Sequence, residues 1–373
     1  MMKEVACSKQ AVKKFKKKHV LLTGASGSLG RAFGLHLARC GVRTLVLSGR
    51  NEIFLQHLAN ECREISTSFM EVHVVVCDLS DPVQVTKLGF QAHILNVNVL
   101  INNAAVMIRD DFLETSSEVD QMMMQVNFLS GVALCKILVP SMVKRGEGLV
   151  LWISSVQGFF SLPGCASFSA SKFAVQGFCE AMRGELGKTG ITVHVASPGF
   201  IRTKFEKAAD IDTSARKSKG ALPDKVAADI LNLVAKGKND FLVASSLSDR
   251  TSMWMRFLAP NVWNRHLVKV HEENLRLAAM KAADDICIND GLKELEYDKD
   301  IQLELKNVDT DTVSVASQQS ELKKTEDLDD CDAVFVETPS DLHADEAVEE
   351  LKDTDSDSVE SVGSQLVRLA AAH

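Results

Sequence analysis

Three glycines within eight residues mark the first place where residue type and spacing could do chemistry: Thr23-Gly24-Ala25-Ser26-Gly27-Ser28-Leu29-Gly30. The loop follows a short apolar run, His19–Thr23, and opens an amphipathic stretch, Arg31–Cys40. Glycines there permit a tight turn and let backbone N–H groups close on a diphosphate, while the helix N-terminus adds partial positive charge. After the first strand of a strand–helix–strand unit, this spacing points to dinucleotide binding, against the alternative of a plain strand–helix turn. About twenty residues on, a carboxylate would hold a ribose 2′-hydroxyl. The chain instead reads Leu47-Ser48-Gly49-Arg50-Asn51, with an arginine and no acid. Arg50, with Arg31 as a second candidate, could fork onto a 2′-phosphate, so NADP(H) is expected over NAD(H). The alternative is that Arg50 simply opens the next helix. In Cys77-Asp78-Leu79-Ser80, Asp78 suits a hydrogen bond to an adenine amino group.

These residues need a scaffold, and the chain between 19 and 200 supplies one. Short runs rich in branched apolar residues, His19–Thr23, Arg43–Leu47, Val72–Cys77, Val99–Ile101, Leu149–Ser154 and Thr192–Ala196, read as strands buried on both faces. Stretches with helical spacing lie between them, among them Val119–Lys144 and Phe168–Gly187. A weaker strand, Phe241–Ala244, follows the helical Pro223–Ala235. Strand–helix alternation implies right-handed crossovers and an α/β, Rossmann-type, doubly wound parallel sheet of about seven strands with helices on both faces.

The motifs then run in an order that resembles the short-chain dehydrogenase/reductase family over residues 15 to 265. Thr23–Gly30 looks like its cofactor loop. Asn102-Asn103-Ala104-Ala105 is similar to its Asn-Asn-Ala-Gly motif, with Ala105 in place of the glycine. Asn127 matches its helix asparagine, and Ile153-Ser154-Ser155 its serine pair. Pro198-Gly199-Phe200-Ile201-Arg202-Thr203 matches its cofactor clamp. The resemblance implies that Asn103, Ala104, Leu79, Pro198, Gly199, Ile201 and Thr203 contact the cofactor. It also implies hydride transfer between a nicotinamide and a carbonyl or alcohol carbon, with the protein orienting the partners and supplying the proton. In the family a tyrosine gives that proton. A lysine four residues later lowers the phenol pKa and holds the ribose, a serine holds the carbonyl oxygen, and the asparagine orders a relay water. Lys172, Ser155 and Asn127 match the last three.

Position 168 does not match: the motif reads Phe168-Ser169-Ala170-Ser171-Lys172, and the only tyrosine of the chain is Tyr297. Phenylalanine keeps the ring and loses the acid, at a typical cost of about 10²–10⁴ in rate. Ser167 and Ser169 flank it on other helical faces. The glycine spacing Gly-x-x-Gly-x-x-Gly is a lesser departure. A competing reading makes Asn127, Ser155 and Lys172 remnants of ancestry.

Charge and composition bound the rest. Of 373 residues, 25% are charged and 46% hydrophobic, which suits one large α/β core and excludes a disulfide-stapled miniprotein. Nine scattered cysteines with no Cys-x-x-Cys pair argue for reduced thiols and against a metal site. No apolar run reaches about 18 residues, so no spanning helix is expected. The lysine-rich first 20 residues lack the apolar run of a secretory signal. Residues 284–373 carry 26 acids and 7 bases, whereas residues 1–283 carry 24 acids and 35 bases. A mildly basic body thus bears a strongly acidic tail, which is expected to be disordered.

The expected organisation is a basic lead-in over 1–18, a dinucleotide-binding domain over 19–270, a helical extension over 271–283 and the tail over 284–373. Lys13–Lys18 reads as a solvated lead-in to the first strand. Arg250–Val270, with Trp254 and Trp263, reads as a pocket lid or dimer edge, and secondarily as a membrane-surface helix. The leading reading is an NADP(H)-binding oxidoreductase for a lipophilic carbonyl or alcohol, its proton-donating position defective. The competing class is a catalytically inactive pseudoenzyme that senses cofactor or scaffolds a tail-binding protein. A cytoplasmic homodimer or tetramer is expected, with peripheral contact to the endoplasmic reticulum membrane as the secondary option. Nucleic acid is not an expected partner, because only net charge speaks for it.

Overall fold

The computed structural model describes residues 7–202 and 220–277. Seven parallel strands form one sheet in the order β3-β2-β1-β4-β5-β6-β7. They are β1 (His19–Thr23), β2 (Thr44–Gly49), β3 (Glu71–Val76), β4 (Val99–Asn102), β5 (Gly148–Ile153), β6 (Ile191–Pro198) and β7 (Asp240–Val243). Leu21 registers with Val46 on one side and Leu100 on the other. The strand order reverses between β1 and β4, and a crevice opens at such a switch point beyond the carboxyl ends of the strands.

Helices cover both faces because strand side chains alternate and both sets are apolar. Val20, Leu22, Leu45, Leu47, Leu149 and Leu151 pack into one core. That side holds α1 (Lys9–Phe15), α2 (Ser28–Arg39), α3 (Glu52–Ile65) and α8 (Pro223–Ala235). Leu21, Val46, Leu100, Val150 and Trp152 pack into the other. That side holds α4 (Pro82–Ile94), α6 (Ser130–Arg145) and α7 (Ala166–Leu186). Local chemistry sets the helix ends. Asn51 Oδ1 accepts the Phe54 N–H to start α3, Asp81 caps α4 with Pro82 at its first turn, and Gly146, at φ +67°, ends α6.

Three features depart from the sequence expectations. The lead-in is not simply solvated: Lys9–Phe15 forms α1, capped by Ser8, and Ala11 and Phe15 are fully buried. Four residues apart, they share one helix face, and the lysines keep the other wet. The expected helix Val119–Lys144 is longer and interrupted. α5 (Ser117–Met124) passes into a π turn, Gln125–Leu129, before α6. By length and composition Ser117–Arg145 could cross a membrane, but Leu134, Cys135, Leu138 and Met142 are buried against the sheet. Finally, the expected boundary after residue 270 falls inside one helix. After α9 (Leu247–Leu258), α10 runs over 260–277.

The two tryptophans of this region divide. Trp263 is 3% exposed and meets Phe160 edge-on at 5.7 Å, whereas Trp254 is 59% exposed. The 284–373 tail and Thr203 lie outside the described residues.

Candidate active site

Because every strand is parallel, each loop that leaves a carboxyl end emerges on one edge of the sheet. The Thr23–Gly30 loop leaves β1, Arg50 follows β2, Asp78 and Leu79 follow β3, and Asn103 and Ala104 follow β4. Ser155 follows β5, and Pro198–Ile201 close β6. All of these sequence-derived positions therefore gather on that edge.

The switch point is tied across its gap. Thr23 Oγ1 accepts the N–H groups of Asn103 and Ala104 at 3.1 and 3.2 Å, and Asn103 Nδ2 donates to the carbonyls of Thr23 and Gly24. Gly24 sits at φ +63°, and a Cβ there would lie 2.7 Å from Ala104 Cα. A Cβ on Gly30 would lie 2.0 Å from the Gly24 carbonyl oxygen. Both glycines are thus required by the packing of the loop itself. Gly27 differs: its nearest neighbour to an added Cβ is 3.5 Å away, and as N-cap of α2 it offers no side chain to the helix N–H groups. The first turn of α2, which includes Ser28 and Leu29, therefore keeps backbone donors for an incoming anion. A Cβ on Gly49 would meet Ser26 Oγ at 2.8 Å, so the glycine loop packs closely against the end of β2. This cradle fits a dinucleotide diphosphate.

Around the cradle, Arg50 is exposed. Arg31 is engaged instead, with Nη2 2.5 Å from Glu61, which leaves Arg50 as the candidate for a 2′-phosphate. Asp78 Oδ1 accepts both the N–H and the hydroxyl of Ser80. Gln125 Nε2 donates to the Leu79 carbonyl, so the π turn reaches the end of β3. Gly199 is fixed by its N–H to the Val243 carbonyl, and Ile201 bridges to Ala221.

The chemical end of the site is built on α7. Phe168 and Lys172 are one turn apart, and Lys172 Nζ stands 5.5 Å from the Phe168 ring centroid. Lys172 is 2% exposed, and its Nζ donates to the Ile153 carbonyl at 3.0 Å. Desolvation pulls its pKa down to about 8. Asn127, inside the π turn, spends its amide on the 106 loop and on α7. Its Oδ1 accepts the Val106 N–H, and its Nδ2 donates to the Val106 carbonyl and to Ser171 Oγ. Ser171 in turn donates to the Phe168 carbonyl. Ser155 Oγ accepts the Gln157 N–H at the start of a 3₁₀ turn, Val156–Gly158, and its own proton remains available to a ligand oxygen. Ser167 donates to Asp120, and Ser169 donates to Gln157 at 3.1 Å, so neither hydroxyl replaces a phenol at 168.

Several members were not evident from motifs. Ser171 joins Asn127 to Phe168, and Gln176 Nε2 bridges Ser154 and Ser197. Arg256 donates to the Phe159 carbonyl and stacks 4.6 Å over Phe173, so α9 is strapped to the loop after Ser155. Phe159, Phe160, Leu162, Met253, Met255 and Trp263 pack together there.

The short chain dehydrogenase family model matches residues 18–213. With this fold and switch point, the chain belongs to the short-chain dehydrogenase/reductase family. It is 35% identical over 263 residues to the dehydrogenase/reductase SDR family protein 7-like of Anopheles gambiae, a match that covers 66% of this chain and 80% of that protein. It is 36% identical over 260 residues to dehydrogenase/reductase SDR family member 7B of Bos taurus, which covers 66% and 79%. Among solved structures, a short-chain dehydrogenase from Sphingobium yanoikuyae in complex with NADPH superposes with a TM-score of 0.57 at 24% identity. That match covers 68% of this chain and 95% of the other.

Proposed function

We propose that the protein binds NADP(H) and interconverts a carbonyl and an alcohol on a lipophilic small molecule, slowly, because position 168 has no acid. The observation that carries the reading is the uncapped N-terminus of α2 beneath Gly27, next to an exposed Arg50 and no carboxylate. The α2 N–H groups would hold the diphosphate, Arg50 the 2′-phosphate, and Asp78 and Leu79 the adenine. Asn103, Ala104, Pro198, Gly199, Ile201 and Thr203 would line the remainder, with Lys172 at the ribose. When bound, the cofactor supplies or accepts the hydride. Ser155 donates a hydrogen bond from its free hydroxyl to the substrate oxygen and fixes its orientation, without giving up its proton. Asn127 holds the 106 loop in place through Val106 and does not itself reach the substrate with its amide. The aromatic and methionine cluster around Phe160 and Trp263 excludes water beside Ser155 and favours an apolar substrate.

Fluorescence titration with NADPH and NADH in parallel tests this reading. NADPH is expected to bind more tightly than NADH, and Arg50→Ala to weaken NADPH by about 10- to 100-fold while leaving NADH unchanged. Equal affinities, or no binding of either, would contradict it.

A further inference from the structure

The outer face of α9 is apolar although water reaches it. Leu247, Trp254 and Leu258 fall at i, i+7 and i+11, one stripe along the helix, and Phe257 lies beside it. All four are more than half exposed. The opposite face is engaged. Arg256 donates to the Phe159 carbonyl and stacks over Phe173, while Met253 and Met255 pack with Phe160 and Trp263. The capping box of Ser246 and Asp249 secures the first turn. Contacts on one side of α9 therefore hold the stripe outward on the other.

Charge says what such a face would meet. From Arg250 to His271 the chain has four cations and no acid. Arg256 is the one turned inward. Arg250 is exposed and sits one turn before Trp254, next to the stripe. Its Nε donates to Ser245 Oγ, a neutral partner, and the nearest acid in sequence, Asp249, is committed to the Ser246 cap. On α10, Arg265 and Lys269 are exposed, one turn apart and on the side away from Trp263. Leucine and aromatic side chains flanked by cations match the surface of an anionic bilayer. The apolar groups enter the boundary between headgroups and acyl chains, and the cations stay with the phosphates. A second copy of this chain fits less well, because a two-fold contact through this face would bring the same cations together.

We propose that the outer face of α9, with Arg265 and Lys269 of α10, docks on an anionic lipid bilayer. The place of α9 in the fold gives the contact a use. It follows the carboxyl end of β7, on the edge from which the glycine loop and Ser155 also emerge. Its inner face closes the aromatic and methionine cluster beside Ser155. Docking thus brings that cluster within about one helix diameter, ~10 Å, of the lipid. The docking itself does not rest on the oxidoreductase reading, whereas delivery of a bilayer-dissolved substrate to Ser155 does.

Of the three tryptophans, Trp152 and Trp263 are buried and Trp254 is exposed, so Trp254 reports the contact. The test uses the full chain, without cofactor, and vesicles of phosphatidylcholine alone or with about one quarter phosphatidylserine. Co-sedimentation with the phosphatidylserine vesicles and a blue shift of tryptophan emission are expected, both weakened at about 1 M salt. Trp254→Ser combined with Phe257→Ser should lower vesicle affinity by about 100-fold. Both side chains are exposed, so the thermal midpoint should not move. Arg250→Gln combined with Lys269→Gln should lower the preference for phosphatidylserine by about 10- to 30-fold. No co-sedimentation, an unshifted emission, or equal binding to the two vesicle types would overturn the proposal. So would a sedimentation-velocity mass that falls on Trp254→Ser, which would assign the face to a second copy. NADPH titration is read without vesicles, so the docking and the oxidoreductase reading fail separately.

Discussion

Lys172 is a buried cation whose nearest polar company is the carbonyl of Ile153. Its pKa near 8 in the fold, against 10.5 when free, has a definite consequence for stability. Below pH 8 both folded and unfolded chains carry the proton, and the fold bears the full cost of burying the charge. Between pH 8 and 10.5 the folded chain releases its proton first, and the cost falls away. Lys172→Met is therefore expected to stabilise the protein by about 3 kcal/mol at pH 7, and the gain should vanish above about pH 10.5. Denaturant titration at the two pH values checks it; a gain independent of pH would contradict it. The positions of Asn127, Ser155, Phe168 and Lys172 were legible in sequence because each sits in a motif of fixed spacing. Their partners were not. The Asn127 amide is committed to Val106 and Ser171 from within a π turn, and no spacing rule announces the turn. The His36–Asp224 pair joins residues 188 positions apart, beyond the reach of any local pattern.

At the scale of elements, the sheet was readable because short, near-continuous, β-branched apolar runs alternate with longer helical stretches, and no strand end moved by more than two residues. The helix over 260–277 was less readable. Trp263 and Leu267 of α10 face a cluster with Phe160, while Trp254, Phe257 and Leu258 of the preceding α9 are exposed, so the pattern across the two helices mixes buried and exposed aromatics. The strap made by α9 and α10 depends on that cluster and on Arg256. Trp263→Ala should cost about 3–5 kcal/mol locally. Hydrogen exchange should rise over 247–258 and 260–277, while β1, β4 and β5 keep their protection. A uniform loss of protection across the sheet would show that the strap is not a separate layer.

For the whole molecule, charge is the property the sequence states most plainly. The first 283 residues carry an excess of bases and the last 90 an excess of 19 acids. The edge proposed to hold the cofactor phosphates lies on the basic part, and by the proposed reading an acidic tail would compete with an anion for the same field. Deleting 284–373 is expected to tighten NADPH binding at about 0.01 M salt, where the Debye length is about 30 Å. At about 1 M salt it should have no effect. Titrations of both chains at the two salt concentrations check this, and a salt-independent difference would rule out the electrostatic account.

The absent phenol at position 168 is the central claim, and restoring it is the direct test. The measurement is NADPH oxidation with an aryl ketone and a long-chain aldehyde, by the natural chain and by Phe168→Tyr, at saturating NADPH. The Phe168 ring already stands beside Lys172, whose charge would lower the pKa of an added hydroxyl. The account predicts that Phe168→Tyr turns over about 10²–10⁴ times faster. Equal rates in the two proteins would show that the proton travels by a route that does not pass through residue 168.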